Sequence, residues 1–307
     1  MLNAEENEER SVKEILIEQF DFETCFEKID EKYKKIFQII IICLCFFIVT
    51  ISYVKFKQSL VNIYIITHKD FRNKVITNRA YKILCDQKSQ LKSKYNLEII
   101  ETYKDNILYP KNRAYCEGSK IYPIWKLYKE GNITSKYVGF LHYRRVFPFK
   151  NNIPNLDKIF EEYDVIIRQK NSHLENNYER YKSKHVICFL DESINIIKEK
   201  YSEYYEDAQK FLSQNWANYC NIFIAKKEDF IKWGEFVFGI LFELDRRFNL
   251  NTDNDVKNFI IKTAKENNQK INIDYQIRQE AFLMERLSSI FYEHHWKKRY
   301  ELPNVDI

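Results

Sequence analysis

The segment FLHYRRVF, residues 140 to 147, ends an apolar run on His142, Tyr143, Arg144 and Arg145 before apolar residues resume. A guanidinium keeps its charge at any physiological pH and grips phosphate oxygens through two parallel donors. Two arginines beside a histidine at a strand tip therefore suit the stabilisation of an anion. Adjacent residues of an extended backbone point to opposite faces, so one of Arg144 and Arg145 belongs to a site and the other does not. The competing reading pairs one arginine with a buried carboxylate and sends the other to solvent. Proton-accepting candidates are Glu285 in MERL, Asp164 in YDVII and Glu117 in YCEGS. Glu285 stands in an otherwise apolar helical pattern, where a charge needs a reason; an ion pair with Arg286 or Arg278 is the plainer one. Asn221, in the middle of YCNIFIA, is a polar residue in a strand-like run, and a buried amide must be hydrogen-bonded.

The elements that would present these residues follow from periodicity. The run from 61 to 66 reads as a strand ended by Thr67 and His68 and followed by a helix-like stretch from 71 to 84. Residues 95 to 103 suit a second strand, and residues 112 to 131 a helix despite Gly118 and Pro123. The run before His142 is then a strand of five or six residues. Strand and helix in alternation predict a mostly parallel sheet flanked by helices, whose ligand lies outside the carboxyl ends of the strands. The tips at Thr67-His68 and at His142 to Arg145 would open on the same edge. Downstream, 163 to 170 and 219 to 227 read as strands and 191 to 212, 228 to 248 and 279 to 292 as helices. Residues 249 to 270, rich in Asn, Asp and Lys, read as a loop or insertion.

The N-terminal region divides into a charged tail over 1 to 35 and an apolar run over 36 to 54, with the main domain over 60 to 300. About 19 apolar residues interrupted only by Gln38 match the roughly 20 that cross a bilayer as a helix. The run starts too far from Met1 for an ordinary signal peptide. The expectation is a single-pass anchor in the lipid bilayer. Lys32, Lys34 and Lys35 before it outnumber Lys55 and Lys57 after it, which favours a cytoplasmic N-terminus and a lumenal domain, as in the Golgi or endoplasmic reticulum. The sequon Asn132-Ile133-Thr134 agrees with a lumen only weakly, because such triplets are common. The net charge of +5 arises from 49 basic and 44 acidic residues without a long block of one sign, which argues against nucleic acid as a partner. Cys85, Cys116, Cys188 and Cys220 show no metal-ligand spacing; two disulfides or buried thiols are both open.

NRAYCEGSKIYPIWKL, YVGFLHYRRVF, YDVIIRQK, YCNIFIAKKEDF and RQEAFLMERL, in that order, resemble the family known as domain of unknown function 4422, from about Ile63 to Phe291. The resemblance implies a nucleotide-sugar-binding α/β fold of the GT-A type, related to the Rossmann fold, and glycosyl transfer. It implies a nucleotide-sugar donor, a uridine diphosphate sugar with a galactose-like hexose among the expected co-substrates, and a glycan or glycoconjugate acceptor, as in polysaccharide biosynthesis. Many enzymes of this fold hold a divalent metal with an Asp-x-Asp at a central strand tip. Here that tip reads His-Tyr-Arg, so no metal and no other cofactor is expected, and Arg144 or Arg145 with His142 would stabilise the leaving diphosphate. Thr67, His68, Lys111 and Asn112 match family positions expected to bind the donor with His142 and Tyr143, although Thr67 and Asn112 also suit helix caps. His185 and Asn221 match positions expected to contact the acceptor, and Glu285 matches the family Glu-Arg and is the preferred base. The sequence departs from the family at Ser119, Ile222 and Ala281, near expected acceptor positions. The alternative is a catalytically silent relative that binds glycans or partner transferases; a lipid- or RNA-holding protein fits the dispersed charge less well.

Overall fold

The run VNIYII forms β1 (Val61–Ile66), whose side chains alternate between two apolar layers: Tyr64 and Ile66 join one, Ile63 and Ile65 the other. A strand covered on both faces reads as nearly continuous apolar sequence, which is why this one was legible. The computed structural model describes residues 31 to 70, 76 to 92, 95 to 267, 270 to 303 and 305 to 306. The chain divides into two units, 1 to 57 and 58 to 307.

In the first unit the helix α1 (Glu31–Leu60) begins and carries the apolar run; Ile39, Ile42, Phe46 and Phe47 are exposed on it. Among the described residues no helix is long and apolar enough to cross a membrane. The anchor expected over 36 to 54 is to that extent unsupported, and the side chains from 48 to 59 lie outside the described residues. The tail over 1 to 30 lies outside them as well.

In the second unit β1 is followed by β2 (Tyr81–Cys85), β3 (Glu98–Glu101), α2 (Asn112–Tyr115), α3 (Gly118–Lys129), β4 (Tyr137–His142) and β5 (Arg145–Val146). Then come α4 (Leu156–Glu162), β6 (Val165–Arg168), β7 (Asn171–Ser172), α5 (Asn177–Lys184), α6 (Ile187–Lys200), α7 (Tyr205–Ser213), β8 (Trp216–Ala217) and β9 (Phe223–Lys226). The chain closes with α8 (Lys227–Phe248), α9 (Asp253–Glu266), α10 (Ile273–Gln276), α11 (Gln279–His295), β10 (Arg299–Leu302) and β11 (Val305–Asp306). The main sheet has seven strands in the order β10-β6-β9-β4-β1-β2-β3. Every neighbouring pair is parallel except the two made by β9, which runs antiparallel between β4 and β6. Ile66 pairs with His142, so the tips of β1 and β4 open on one carboxyl edge as expected. Because β9 runs the other way, its entry at Cys220 to Ile222 reaches that same edge.

Three sequence readings are corrected. The helix-like stretch 71 to 84 contains strand β2, whose β-branched and aromatic residues pack beside β1; residues 71 to 75 lie outside the described ones. The expected loop at 249 to 270 carries α9, started by a capping box in which Thr252 and Asp255 satisfy each other's backbone donors. The single helix at 112 to 131 is broken into α2 and α3 at Cys116, whose φ of 48° no helix accommodates. Within α3, Pro123 removes a donor from Ser119 O, and Asn106 Nδ2 takes that carbonyl at 2.7 Å.

Candidate active site

The break at Cys116 lifts Glu117 to the start of α3, next to α11. The packing there is close at Gly118, where a Cβ would lie 2.9 Å from Met284 Sδ. Glu117 is thereby brought beside Glu285. Asn221 Nδ2 donates to Glu117 Oε1 at 3.3 Å, and Ser288 Oγ donates to Asn221 Oδ1 at 2.8 Å. The orientation of that amide follows from the chain behind it: Trp233 Nε1 donates to Ser288 Oγ at 3.1 Å, so the hydroxyl hydrogen is left for Asn221. Asn221 is buried, and the hydrogen bonds its amide requires are made to these two side chains.

Burial raises the Glu117 carboxyl above its ordinary range, the nearby charge of Glu285 adds to the rise, and the Asn221 bond opposes it. Glu285 is differently placed. One oxygen accepts the backbone N–H of Cys220 at 2.9 Å and the other pairs with Arg286 Nη1 at 2.9 Å. Cys220 and Asn221 have φ of 76° and 42°, a left-handed conformation that non-glycine residues adopt at a cost of roughly 1–3 kcal/mol each. Glu285 holds this turn in place. Asp164 is excluded from the site, because it accepts from Lys298 N at the entry of β6, on the opposite edge of the sheet.

At the tips of β1 and β4 the rings of His142 and Tyr143 lie 4.4 Å apart and those of His68 and Tyr143 5.2 Å apart. Arg144 is exposed and lies over the Tyr143 ring at 5.4 Å. Arg145 is half-buried and turns the other way, donating from Nη1 to Cys220 Sγ at 2.7 Å, where Arg168 also arrives at 3.5 Å. The two arginines thus occupy different surroundings. Burial, reinforced by Arg144 and Arg145, lowers the His142 imidazole to about 4, so it is neutral near pH 7. His68 is exposed and is also lowered, by partial burial and then by Lys69, Lys120 and Arg144.

The remaining expected donor residues are engaged inside the protein. Thr67 is buried and its hydroxyl donates to Lys69 O in a local turn. Lys111 is buried in an ion pair with Asp245. Asn112 donates to Asp86 Oδ2 at 3.0 Å and accepts from Ser119 and Lys120, beside the buried pair of Lys120 and Asp86 at 2.9 Å. His185 is buried against Phe282, with ring centroids 4.0 Å apart, and lines a pocket of ≈ 270 Å³ together with Glu117, Tyr219, Tyr275, Arg278 and Glu285. Among the described residues no group of three or more His, Cys, Asp or Glu is placed to hold a metal ion. Cys85, Cys116, Cys188 and Cys220 are free thiols. The sequence reading missed Arg180 and Lys184, which also line the pocket. Their i, i+4 spacing immediately before His185 is the signal that marks them.

The model of the family described as domain of unknown function 4422 matches residues 62 to 266. The chain belongs to that family. The match stops before α11, so the stretch carrying Glu285 lies beyond it, although the resemblance drawn from the sequence extended to Phe291. Among curated proteins none matches the chain. Among solved structures it is similar to one titled the apo structure of WbbM, a bifunctional glycosyltransferase. That similarity has a TM-score of 0.59 at 22% identity and covers 80% of this chain and 45% of that one. The chain therefore spans less than half the length of that protein, and the likeness is one of fold: an α/β architecture with a mostly parallel central sheet.

Proposed function

We propose that this family member transfers a sugar from a nucleotide-sugar donor, a uridine diphosphate hexose in our reading, to a glycan acceptor at the carboxyl edge of the sheet. The observation that carries the reading, in a glycosyltransferase-like fold, is the Cys220-Asn221 turn, which Arg145 of the cationic strand tip reaches at Cys220 and whose Asn221 holds the raised carboxyl of Glu117. When the anomeric carbon parts from the diphosphate, charge grows on the leaving oxygen, and preplaced cations stabilise it. Arg144 reaches open solvent beside His68 and Tyr143, where a donor phosphate has access, whereas Arg145 is turned into the protein toward Cys220. His142, being neutral, donates a hydrogen bond and adds no charge. Glu117 takes the proton of the attacking hydroxyl as the new glycosidic bond forms and the bond to phosphate breaks, a single displacement that inverts the anomeric centre. Glu285 positions the Cys220 turn. Thr67, Lys111 and Asn112 support the donor site from beneath.

The decisive measurement is nucleoside diphosphate release from a panel of sugar donors. Absence of release with every donor, from folded protein, would favour a silent binding relative instead. Arg144→Ala is expected to lower kcat at least tenfold, while Arg145→Ala acts mainly on stability; equal losses of kcat would refute the division of labour. Chelation by EDTA is expected to leave transfer intact, and loss restored by manganese would overturn a metal-free reaction. We further place the run 36 to 54 in a membrane as a single span, with the domain over 60 to 300 in the Golgi or endoplasmic reticulum lumen. Its length and apolarity support this. Protease protection of the domain in sealed vesicles tests it.

A further inference from the structure

The pocket beside Glu117 carries more positive charge than its own carboxylates answer. Arg180, Lys184, Arg278 and Arg286 line it against Glu117 and Glu285. Arg286 is committed to Glu285 and is flanked by the rings of Tyr181 and Tyr219, at 5.3 and 5.1 Å. Arg278 donates to Cys116 Sγ, a weak acceptor, at 3.1 Å and lies over Phe282. Among the described residues, Arg180, Lys184 and Arg278 have no carboxylate within ion-pair distance. On the same wall, His185 is buried with only 8% of its surface exposed, and its Nδ1 has no hydrogen-bond partner. An orphaned buried nitrogen is costly unless something completes it.

We infer that this pocket binds an anionic group of the acceptor, a phosphate or a sugar carboxylate, and so selects a charged acceptor for the transfer proposed above. Guanidiniums suit a planar carboxylate or a phosphate face through paired donors, and their stacking on Tyr181, Tyr219 and Phe282 fixes the forks in advance. An anion here would lie next to Glu117, which places a hydroxyl of the same molecule within reach of the base. The cations of this wall also register on the histidines. His185 is lowered to about 3, by burial first, then by Arg286 and further by Lys184 and Arg180 against an opposing Gln276 hydrogen bond, and His173 is lowered by burial and then by Arg180.

The inference rests on the glycosyltransferase reading, and its test is separable from it. Calorimetric titration of the full chain in non-ionic detergent would compare glucose 1-phosphate, glucuronate and glucose, with uridine diphosphate titrated in parallel. Binding of one or both charged sugars and not of glucose is expected; the phosphate and carboxylate arms identify which anion is taken. The double variant R180A/K184A, in which Lys184 is exposed and Arg180 half-buried on α5, is expected to weaken that binding at least tenfold and keep its affinity for uridine diphosphate. Equal affinity in wild type and variant, or no preference for charged sugars, would overturn the inference. A parallel tenfold loss of uridine diphosphate binding would overturn it too, because the pocket would then belong to the donor. In the wild type, uridine diphosphate binding without binding of either charged sugar would sink the charged-acceptor assignment alone.

Discussion

Glu117→Gln is expected to slow transfer by about 10²- to 10⁴-fold while donor affinity holds, since general-base catalysis contributes on that order. Glutamine keeps the size of the side chain and leaves Asn221 a carbonyl to bond, so folding is preserved. The pH profile supplies the second readout. The Glu117 carboxyl is raised above its ordinary range by burial and by Glu285, and only its ionised form accepts a proton. Activity should therefore rise with pH through a midpoint above that of an exposed carboxylate. That rise should vanish in the glutamine variant. Glu285→Gln serves as the comparison. Glu285 ties down Cys220 N and Arg286, so its loss should loosen the turn and lower stability; because its charge helps to raise the Glu117 carboxyl, the midpoint of the rate profile should move down while the rise itself persists. A full-strength Glu117→Gln enzyme beside a dead Glu285→Gln one would reverse the two roles and restore the assignment the sequence suggested.

That reversal of emphasis shows where sequence reading works and where it stops. The strand ending at His142 was legible because its residues are apolar on both faces, and one covered sheet explains such a run. The common edge for Thr67 and His142 then followed from parallel alternation alone. Strand β2 was not legible: YKILC is too short to declare a period, and the helix-like residues before it masked its start. Helix α9 was hidden by its Asn, Asp and Lys content, yet the Thr252 and Asp255 spacing of a capping box was there to be read. The choice between Glu117 and Glu285 could not be made in one dimension. It depends on the positive φ of Cys116 and on the Trp233, Ser288 and Asn221 relay, contacts between residues far apart in the chain. For Glu285 the plainer sequence alternative, an ion pair with Arg286, is what the structure contains.

Lys111→Met is expected to destabilise the domain by about 3–5 kcal/mol, because breaking a buried ion pair strands the partner charge. Asp245 receives Lys111 Nζ and the Tyr115 hydroxyl, the latter at 2.6 Å, and faces the fully buried carboxyl of Glu280. Burial first, and then the charge of Asp245, holds Glu280 protonated well above its ordinary range, so one proton and one lysine together neutralise two carboxyl groups. The sign of the pH dependence follows. The unfolded chain releases the Glu280 proton in the ordinary carboxylate range while the folded chain keeps it, so this group's contribution to stability falls as pH rises above that range. Glu280→Gln supplies a permanent donor to Asp245 and should flatten that slope at little cost. Chemical denaturation of wild type and both variants at several pH values measures all three expectations, with an unchanged dependence on denaturant certifying the comparison. The same experiment decides the role of Lys111. A lysine that served the donor phosphate would, as methionine, weaken uridine diphosphate binding in a domain of nearly unaltered stability. A lysine that neutralises Asp245 lowers the unfolding midpoint first, and donor affinity at temperatures well below that midpoint stays close to wild type.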